Sequence, residues 1–299
     1  MITAHLRHSG RIRAVNVYVV ADSTTSLPAA LTGGLPLLIA PLEVHHAGRV
    51  YADGVDLPPA RFYELLAQPG PPPTTSSPQP GAFLKRFTEA AAAGADAVVC
   101  LTLSADLSAT HTAACVAQEE ARASLPGLPI TVVDTRSAAT AEGLIALAAA
   151  RLAATGADAD AVLAEVARRM ADTRLFGYLE SLEHLRRGGR VPRVAAWMGR
   201  LLDIKPILSL EDGRIGMVER PRSTRRAMER LVALTENRLA GQNGRLAVMH
   251  AAAPDRAGQL AALLTARLTP SELFITEFTP VIGAHTGPGL VGVALQPAA

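Results

Sequence analysis

Aromatic side chains make up only 4% of these 299 residues, tryptophan occurs once and cysteine twice. A core short of large rings has to be filled by small and branched aliphatics, which lets helices and strands approach at close backbone range. At 49% hydrophobic residues there is ample material for one large domain or two. Cys100 and Cys115 show no Cys-x-x-Cys spacing, and Cys100 sits in an apolar run. Both read as reduced thiols of a cytoplasmic protein rather than a disulfide framework. No apolar run reaches the length of a membrane span, and the first fourteen residues carry His and Arg without an apolar segment, so neither stable membrane insertion nor export is expected. The 29 basic and 27 acidic residues leave a formal charge of +2, and no basic stripe marks a nucleic-acid footprint. Neither Gly-x-x-x-x-Gly-Lys-Ser/Thr nor Gly-x-Gly-x-x-Gly follows a strand, so the chain is expected to bring no nucleotide of its own.

Short apolar runs alternate with amphipathic stretches in the first half: strands over 15–21, 35–44, 97–103 and 130–134, with helices over 59–66, from Pro78 or Pro80 to Gly94, to about Ala123 and to about Ala154. This βαβα order predicts a parallel sheet covered on both faces, with polar residues just past the carboxyl ends of its strands, where ligands of such sheets bind. Residues 1–14 form an N-terminal extension, 15–157 an α/β domain and 158–299 a second one. In the latter, a helix begins at Asp158, Leu179–Leu185 reads as helix, and Arg187-Gly-Gly-Arg190 stops it with a glycine past its end. Glu211-Asp-Gly213 between two apolar runs signals a hairpin, so this half contains antiparallel pairing.

Four consecutive hydroxyls, Thr74 to Ser77, stand between Pro71-Pro-Pro73 and a helix start. A helix N-terminus with a neighbouring hydroxyl suits a carboxylate or phosphate, but Ser or Thr before Pro is also an ordinary cap, and both readings stand at this point. Ser108 and Thr110 occupy a strand-to-helix loop read as equivalent to that of Thr75, which would bring two sets of hydroxyls to one sheet edge. His285 lies in a stretch with Gly283, Gly287 and Gly289, read as a loop whose freedom lets the imidazole approach a ligand and donate to a carboxylate. Arg222 ahead of a helix can add a charge-assisted bond to an anion, and Arg187 with Arg190 can cradle phosphate or simply follow a helix end. A Ser108–His285–Asp134 triad is conceivable but lacks Gly-x-Ser-x-Gly. Asp22 and Asp134 as metal ligands compete with ordinary loop capping, and His45-His46 lacks ligand partners at suitable spacing.

These stretches together resemble the DegV family of bacterial fatty-acid-binding proteins over about Val17 to Leu295. The resemblance is carried by Asp22-Ser-Thr, Thr75-Ser76 with Pro78 and Gly81-Ala-Phe83, Leu107-Ser108 with Thr110, Val133-Asp134, Leu185-Arg-Arg-Gly-Gly-Arg190, Lys205-Pro-Ile, Asp212-Gly213, Arg222 and the run from Thr279 to Gly289. It implies a two-domain α/β fold, a parallel-sheet N-terminal domain and a mixed α/β C-terminal domain, with one long-chain fatty acid buried between them and no other cofactor. Thr75, Ser108 and His285 match the positions that hold the carboxylate, with Arg222 near the head group and Ser76, Thr110, Gly283 and Thr286 in supporting segments. It further implies a non-catalytic, lipid-carrying subunit that presents the acid to a separate dihydroxyacetone-kinase-like fatty acid kinase subunit, for which Arg187 and Arg190 are the expected docking patch. The alternative is a hydrolase or phosphoryl-transfer enzyme at the same strand edge. Ser77 replaces a usual Gln and Ala109 a usual Gly, and the latter raises the question of whether the Ser108 loop needs a positive φ.

Overall fold

The computed structural model describes residues 15–191 and 204–298; the N-terminal extension 1–14 lies outside them. In chain order the elements are β1 (Val17–Asp22), α1 (Ala29–Thr32), β2 (Leu37–Ala40), β3 (Glu43–His46), β4 (Arg49–Ala52), α2 (Pro59–Leu66), β5 (Thr74–Ser76) and α3 (Pro80–Ala92). There follow β6 (Ala97–Thr102), α4 (Thr110–Ser124), β7 (Ile130–Asp134), α5 (Ala139–Ala153), α6 (Ala159–Asp172), β8 (Arg174–Tyr178) and α7 (Glu183–Gly188). The chain closes with β9 (Ile207–Glu211), β10 (Arg214–Glu219), α8 (Thr224–Leu239), β11 (Gly244–His250), α9 (Pro254–Thr265), β12 (Glu272–Glu277), α10 (Pro280–Thr286) and β13 (Val291–Pro297).

The fold is α/β, as the alternation predicts. β2-β1-β6-β7 form an all-parallel sheet, and β10-β9-β8-β13-β11-β12 a mixed one. A third sheet, β4-β3-β5, is small and antiparallel. The run over 35–44 is therefore two strands in different sheets. Pro41 after Ala40 offers no N–H to continue the ladder, and the chain leaves the parallel sheet there. Thr75 consequently stands on β5 of the small sheet and not in a βα loop of the parallel one.

Two further expectations are corrected. Arg174–Tyr178 is a strand, and the helix expected from Leu179 begins only at Glu183. Leu179, Leu182 and Leu185 keep helical spacing because all three are buried in one core, although only the last lies in the helix. His285 lies in the last turn of α10 and not in a loop. Pro280 at the first helical position and Gly287 at φ 72 past the last one mark its two ends.

α5 lies between the parallel and mixed sheets. Ile145, Ala146 and Ala149 pack in the core of the first sheet, while Ala139, Ala141 and Leu144 join Ala247, Met249 and Ala294 from the second. Its alanines keep the helix narrow enough for both layers to close on it. α6 places Val162 and Val166 in the parallel-sheet core, and the chain crosses to the mixed sheet at Thr173.

α5 also rests directly on the short 3-10 turn Ser23–Thr25. A Cβ at Gly143 would stand 2.5 Å from the Thr25 carbonyl oxygen, which is backbone and cannot swing aside. Gly143→Ala should therefore lower the urea midpoint of unfolding, by about 1–3 kcal/mol of stability; an unchanged midpoint would contradict this close approach.

Candidate functional site

In front of the α5 N-terminus a mostly apolar cavity opens between the layers. Leu42, Leu103, Leu107, Ala138, Leu179, Leu208, Met249 and Phe278 contribute to its wall. Thr75, Ser76, Ser77, Ser108, Arg190, His285 and Thr286 contribute its polar part. The enclosed and mouth space together amount to about 1040 Å³.

Three elements position the polar groups. β5 pairs with β3, setting Thr75 opposite Val44 and Ser76 opposite Glu43. α10 carries His285, and its start is held by Asp53, whose Oδ1 accepts from the Val281 N–H at 3.0 Å. Gly283 lets α10 press on α2, since a Cβ there would meet the Tyr63 hydroxyl at 2.7 Å and the Phe62 ring at 2.8 Å. On the other side Gly188 of α7 lies so close to His285 that a Cβ would collide with Nδ1. The imidazole is thus wedged between elements far apart in sequence. Its Nε2 stands 2.7 Å from Thr75 Oγ1.

Proton placement follows from the pairing. Nδ1 of His285 is buried without a partner. An unpaired acceptor is easier to bury than an unpaired N–H, which favours the tautomer with the proton on Nε2. That N–H then donates to Thr75 Oγ1, leaving the threonine hydroxyl free to donate into the cavity. Burial, and secondarily the charge of Arg190, pushes the His285 pKa down to about 4, so the ring is neutral near pH 7. A base that weak is mismatched to proton abstraction at neutral pH, whereas a neutral donor chain suits binding of an anion.

Ser108 accepts from the Thr110 N–H at 3.3 Å and shares a 2.8 Å bond with the Thr110 hydroxyl. Its loop settles the question raised by Ala109, whose φ is −76, so no glycine is required there. The capping reading fails for the hydroxyl run before α3: Gln79 holds the cap position and no side chain caps it. Ser76 instead donates to Glu43 at 2.8 Å and stands 2.9 Å from His45 Nε2.

The structure thus gathers Thr75, Ser76, Ser108, His285, Thr286 and Arg190 around one cavity. Thr110 and Gly283 are buried behind it. It does not bring Arg222 there: that residue is exposed ahead of α8 and outside the lining. Arg187 is exposed and paired with Glu183 at 2.8 Å, while Arg190 donates to the Gly188 carbonyl. Ser77, read in the sequence both as part of the hydroxyl run and as a departure from the family pattern, also lines the cavity. The triad does not form, because Ser108 bonds Thr110, His285 bonds Thr75, and Asp134 Oδ1 accepts from the Ala105 and Arg136 N–H groups. Among the described residues no group of three or more His, Cys, Asp or Glu is placed to hold a metal, and no helix is long and apolar enough to cross a membrane.

Behind the cavity three carboxyls are buried together. Thr24 Oγ1 lies 2.6 Å from Asp22 Oδ1 and 2.8 Å from Glu142 Oε2. One hydroxyl proton serves only one of these contacts, so one carboxyl must itself be the donor. Asp22 already accepts from the Thr24 and Leu103 N–H groups, which leaves Glu142 as the protonated partner, in keeping with a pKa raised well above the usual value by burial and by Asp22. Burial likewise raises Asp53 to about 6, against bonds from Ser23 and Val281 that favour its charged form.

A pattern drawn from the DegV family, described as "Uncharacterised protein, DegV family", matches residues 16–298. A DegV domain-containing protein of Streptomyces coelicolor is 40% identical over 282 residues, covering 94% of this chain and 98% of that one. Among solved structures, one described as fatty acid binding of a DegV family protein from Thermus thermophilus superposes with a TM-score of 0.87 at 32% identity, over 95% of this chain and 100% of the other. DegV from Bacillus subtilis, described as a fatty acid binding protein, gives 0.85 at 28% identity over 95% and 100%.

Because Asp53 titrates at about 6 when folded against an ordinary 3.8, the unfolded chain loses this proton first as pH rises. Its contribution to stability is therefore present below about pH 4 and lost by about pH 6, a change of roughly 3 kcal/mol. Asp53→Asn has no such titration. Denaturant unfolding at pH 4 and pH 7 should show the variant gaining on the parent protein as pH rises, and a pH-independent difference would remove Asp53 from this role.

Proposed function

The chain belongs to the DegV family, and from that membership we propose that it binds one long-chain fatty acid, tail in the apolar cavity and carboxylate at Thr75, Ser108 and His285. The observation that carries the reading is a single cavity with an aliphatic wall and a rim of hydroxyls backed by a neutral, wedged imidazole. Relatives at 32% and 28% identity whose folds superpose over nearly the whole chain are described as fatty acid binding.

The energetics divide the labour. At about 0.8 kcal/mol per methylene a sixteen-carbon tail gains on the order of 12 kcal/mol, set against several kcal/mol lost on association. The carboxylate, by contrast, forfeits its hydration and must be given donors in return. The chain from His285 Nε2–H through the Thr75 hydroxyl supplies one, the Ser108 hydroxyl another when Thr110 donates to it, and Arg190 a positive charge at the mouth, whereas the Thr286 hydroxyl already donates to the Ile282 carbonyl. The tail therefore sets affinity and the rim sets which end faces out. Bound carboxylate also raises the His285 pKa, since a nearby negative charge favours the imidazolium. Arg222, being outside the wall, is not among the groups that meet the carboxylate.

A carboxylate held at the rim remains within reach of another protein. The role in this reading is that of a non-catalytic carrier in the cytoplasm, where Cys100 and Cys115 stay free thiols, presenting the acid to an ATP-dependent, dihydroxyacetone-kinase-like subunit for conversion to acyl phosphate. Arg187, on the surface beside the mouth, is the docking residue, and Arg190 belongs to the cavity itself.

Native mass spectrometry of the purified protein should show an added mass equal to one long-chain fatty acid. Thr75→Val and His285→Ala should each weaken binding by about tenfold to a hundredfold, the cost of losing one hydrogen bond to a charged group. Binding unaffected by both would remove the head-group assignment. For the kinase step, Arg187→Glu should reduce acyl phosphate formation with the kinase subunit while leaving fatty acid affinity at the parent value; parallel loss of both, or of neither, counts against the docking role.

A further inference from the structure

A second, polar cleft lies beside the acyl cavity, lined among others by Thr135, Arg136, Ser137, Arg174, Glu211 and Asp212. The two spaces come within one residue of each other at three chain crossings. Ser137 faces the cleft and Ala138 the cavity; Arg174 faces the cleft and Leu175 the cavity; Glu211 faces the cleft, while Leu210 borders both. Leu175 and Leu210 are register partners on β8 and β9, so their side chains stand together at one end of the inner sheet face. The other end of β8 leads through Leu179 to α7, whose Gly188 abuts His285. Four residues of extended chain, about 13 Å, separate the two ends. Between them Gly177 opens the floor of the cavity: a Cβ there would meet nothing nearer than 3.6 Å.

We propose that Leu210, with Leu175 beside it, forms the terminal wall of the acyl cavity and sets the longest chain the protein accepts. The inference rests on the fatty acid reading above and adds to it the residue that selects length. Past Leu210 a methyl end would enter a space that Ile145 and Met170 share with Arg136, Arg174, Glu211 and Asp212, and would displace water from those charged groups without replacing its hydrogen bonds. Those groups are fixed in place: Arg136 donates to the Asp212 carbonyl, and Arg174 to the carbonyls of Ala171 and Thr173 at 2.8 and 2.7 Å. Methylenes therefore gain free energy up to the leucine pair and lose it beyond, which is what a length limit requires.

The test is displacement of a fluorescent fatty acid by saturated acids from lauric to arachidic, on the parent protein and on Leu210→Phe and Leu210→Ala, each checked for folding by circular dichroism. Phenylalanine should cut affinity for the longest acid the parent accepts by about fourfold per methylene displaced, leaving lauric acid unchanged. Alanine should move the optimum to a longer acid. The two substitutions change volume in opposite senses, so either folded variant alone reads the effect. Parent-like length profiles in the folded variants overturn the assignment of Leu210 while the fatty acid reading stands; a parent protein that binds no acid of the series overturns both.

Discussion

Two sheets close on one alanine-rich helix, and most of what this molecule can do follows from that contact. A helix buried on every side must be slim, and α5 achieves this with alanine at both the parallel-sheet face and the mixed-sheet face. Along its length the gap between layers is filled. In front of its first residues the space between the layers is left open, and the side chains there, Ala138 and Ala139, are too small to occupy it. The cavity is thus the continuation of the slot that α5 fills. Its aliphatic wall comes from the same residues that would otherwise have been core.

Holding the layers in register falls to buried polar contacts. Ser26 on the first half accepts from Thr276 and Thr279 of the second, through its carbonyl and its hydroxyl, and Asp53 accepts from Val281. These are directional bonds, unlike the apolar packing around them, and they fix where α10 starts and hence where His285 ends up. Their cost is carboxyls buried without a cation, answered by protons on Glu142 and by hydroxyl and amide donors to Asp22 and Asp53. The histidine is placed by one end of its helix, wedged by Gly188 at the other, and kept neutral by the same burial.

Much of this was legible in the sequence where local chemistry decides structure. Pro59–Leu66 is helical over the expected residues, Gly189 takes φ 68 past the end of α7, and Asp212-Gly213 turns the β9–β10 hairpin. The clustering of Thr75, Ser108 and His285 at one cavity was also readable, although it followed from their likeness to a family pattern more than from spacing. What was not legible depended on long-range packing. Three leucines at helical intervals, Leu179, Leu182 and Leu185, share a core without sharing a helix, because burial sets the period and hydrogen bonding sets the element. Gly283 looked like loop freedom and serves close helix packing on Tyr63, a role visible only once α2 is in place. The same holds for Thr75, whose strand partner in β3 lies some thirty residues away.

A cavity this close to a polar cleft raises the question of why the protein does not simply collapse into it. Collapse would have to shorten the slot by drawing β8 and β9 toward the α5 N-terminus, and the chain on the far side of the partition resists that. Arg136 is tied to the hairpin carbonyl of Asp212, Ser104 donates to Gly213 at 2.9 Å, and Arg214 pairs with Asp106 at 3.0 Å. The hairpin is therefore anchored to the loops of the parallel sheet from outside, at a fixed distance. An exposed ion pair alone would add little, but two bonds onto backbone carbonyls add direction, and together they prop the slot open from its far end. The space is kept by polar struts outside the cavity, which leaves its wall free to be mostly apolar where the tail would lie.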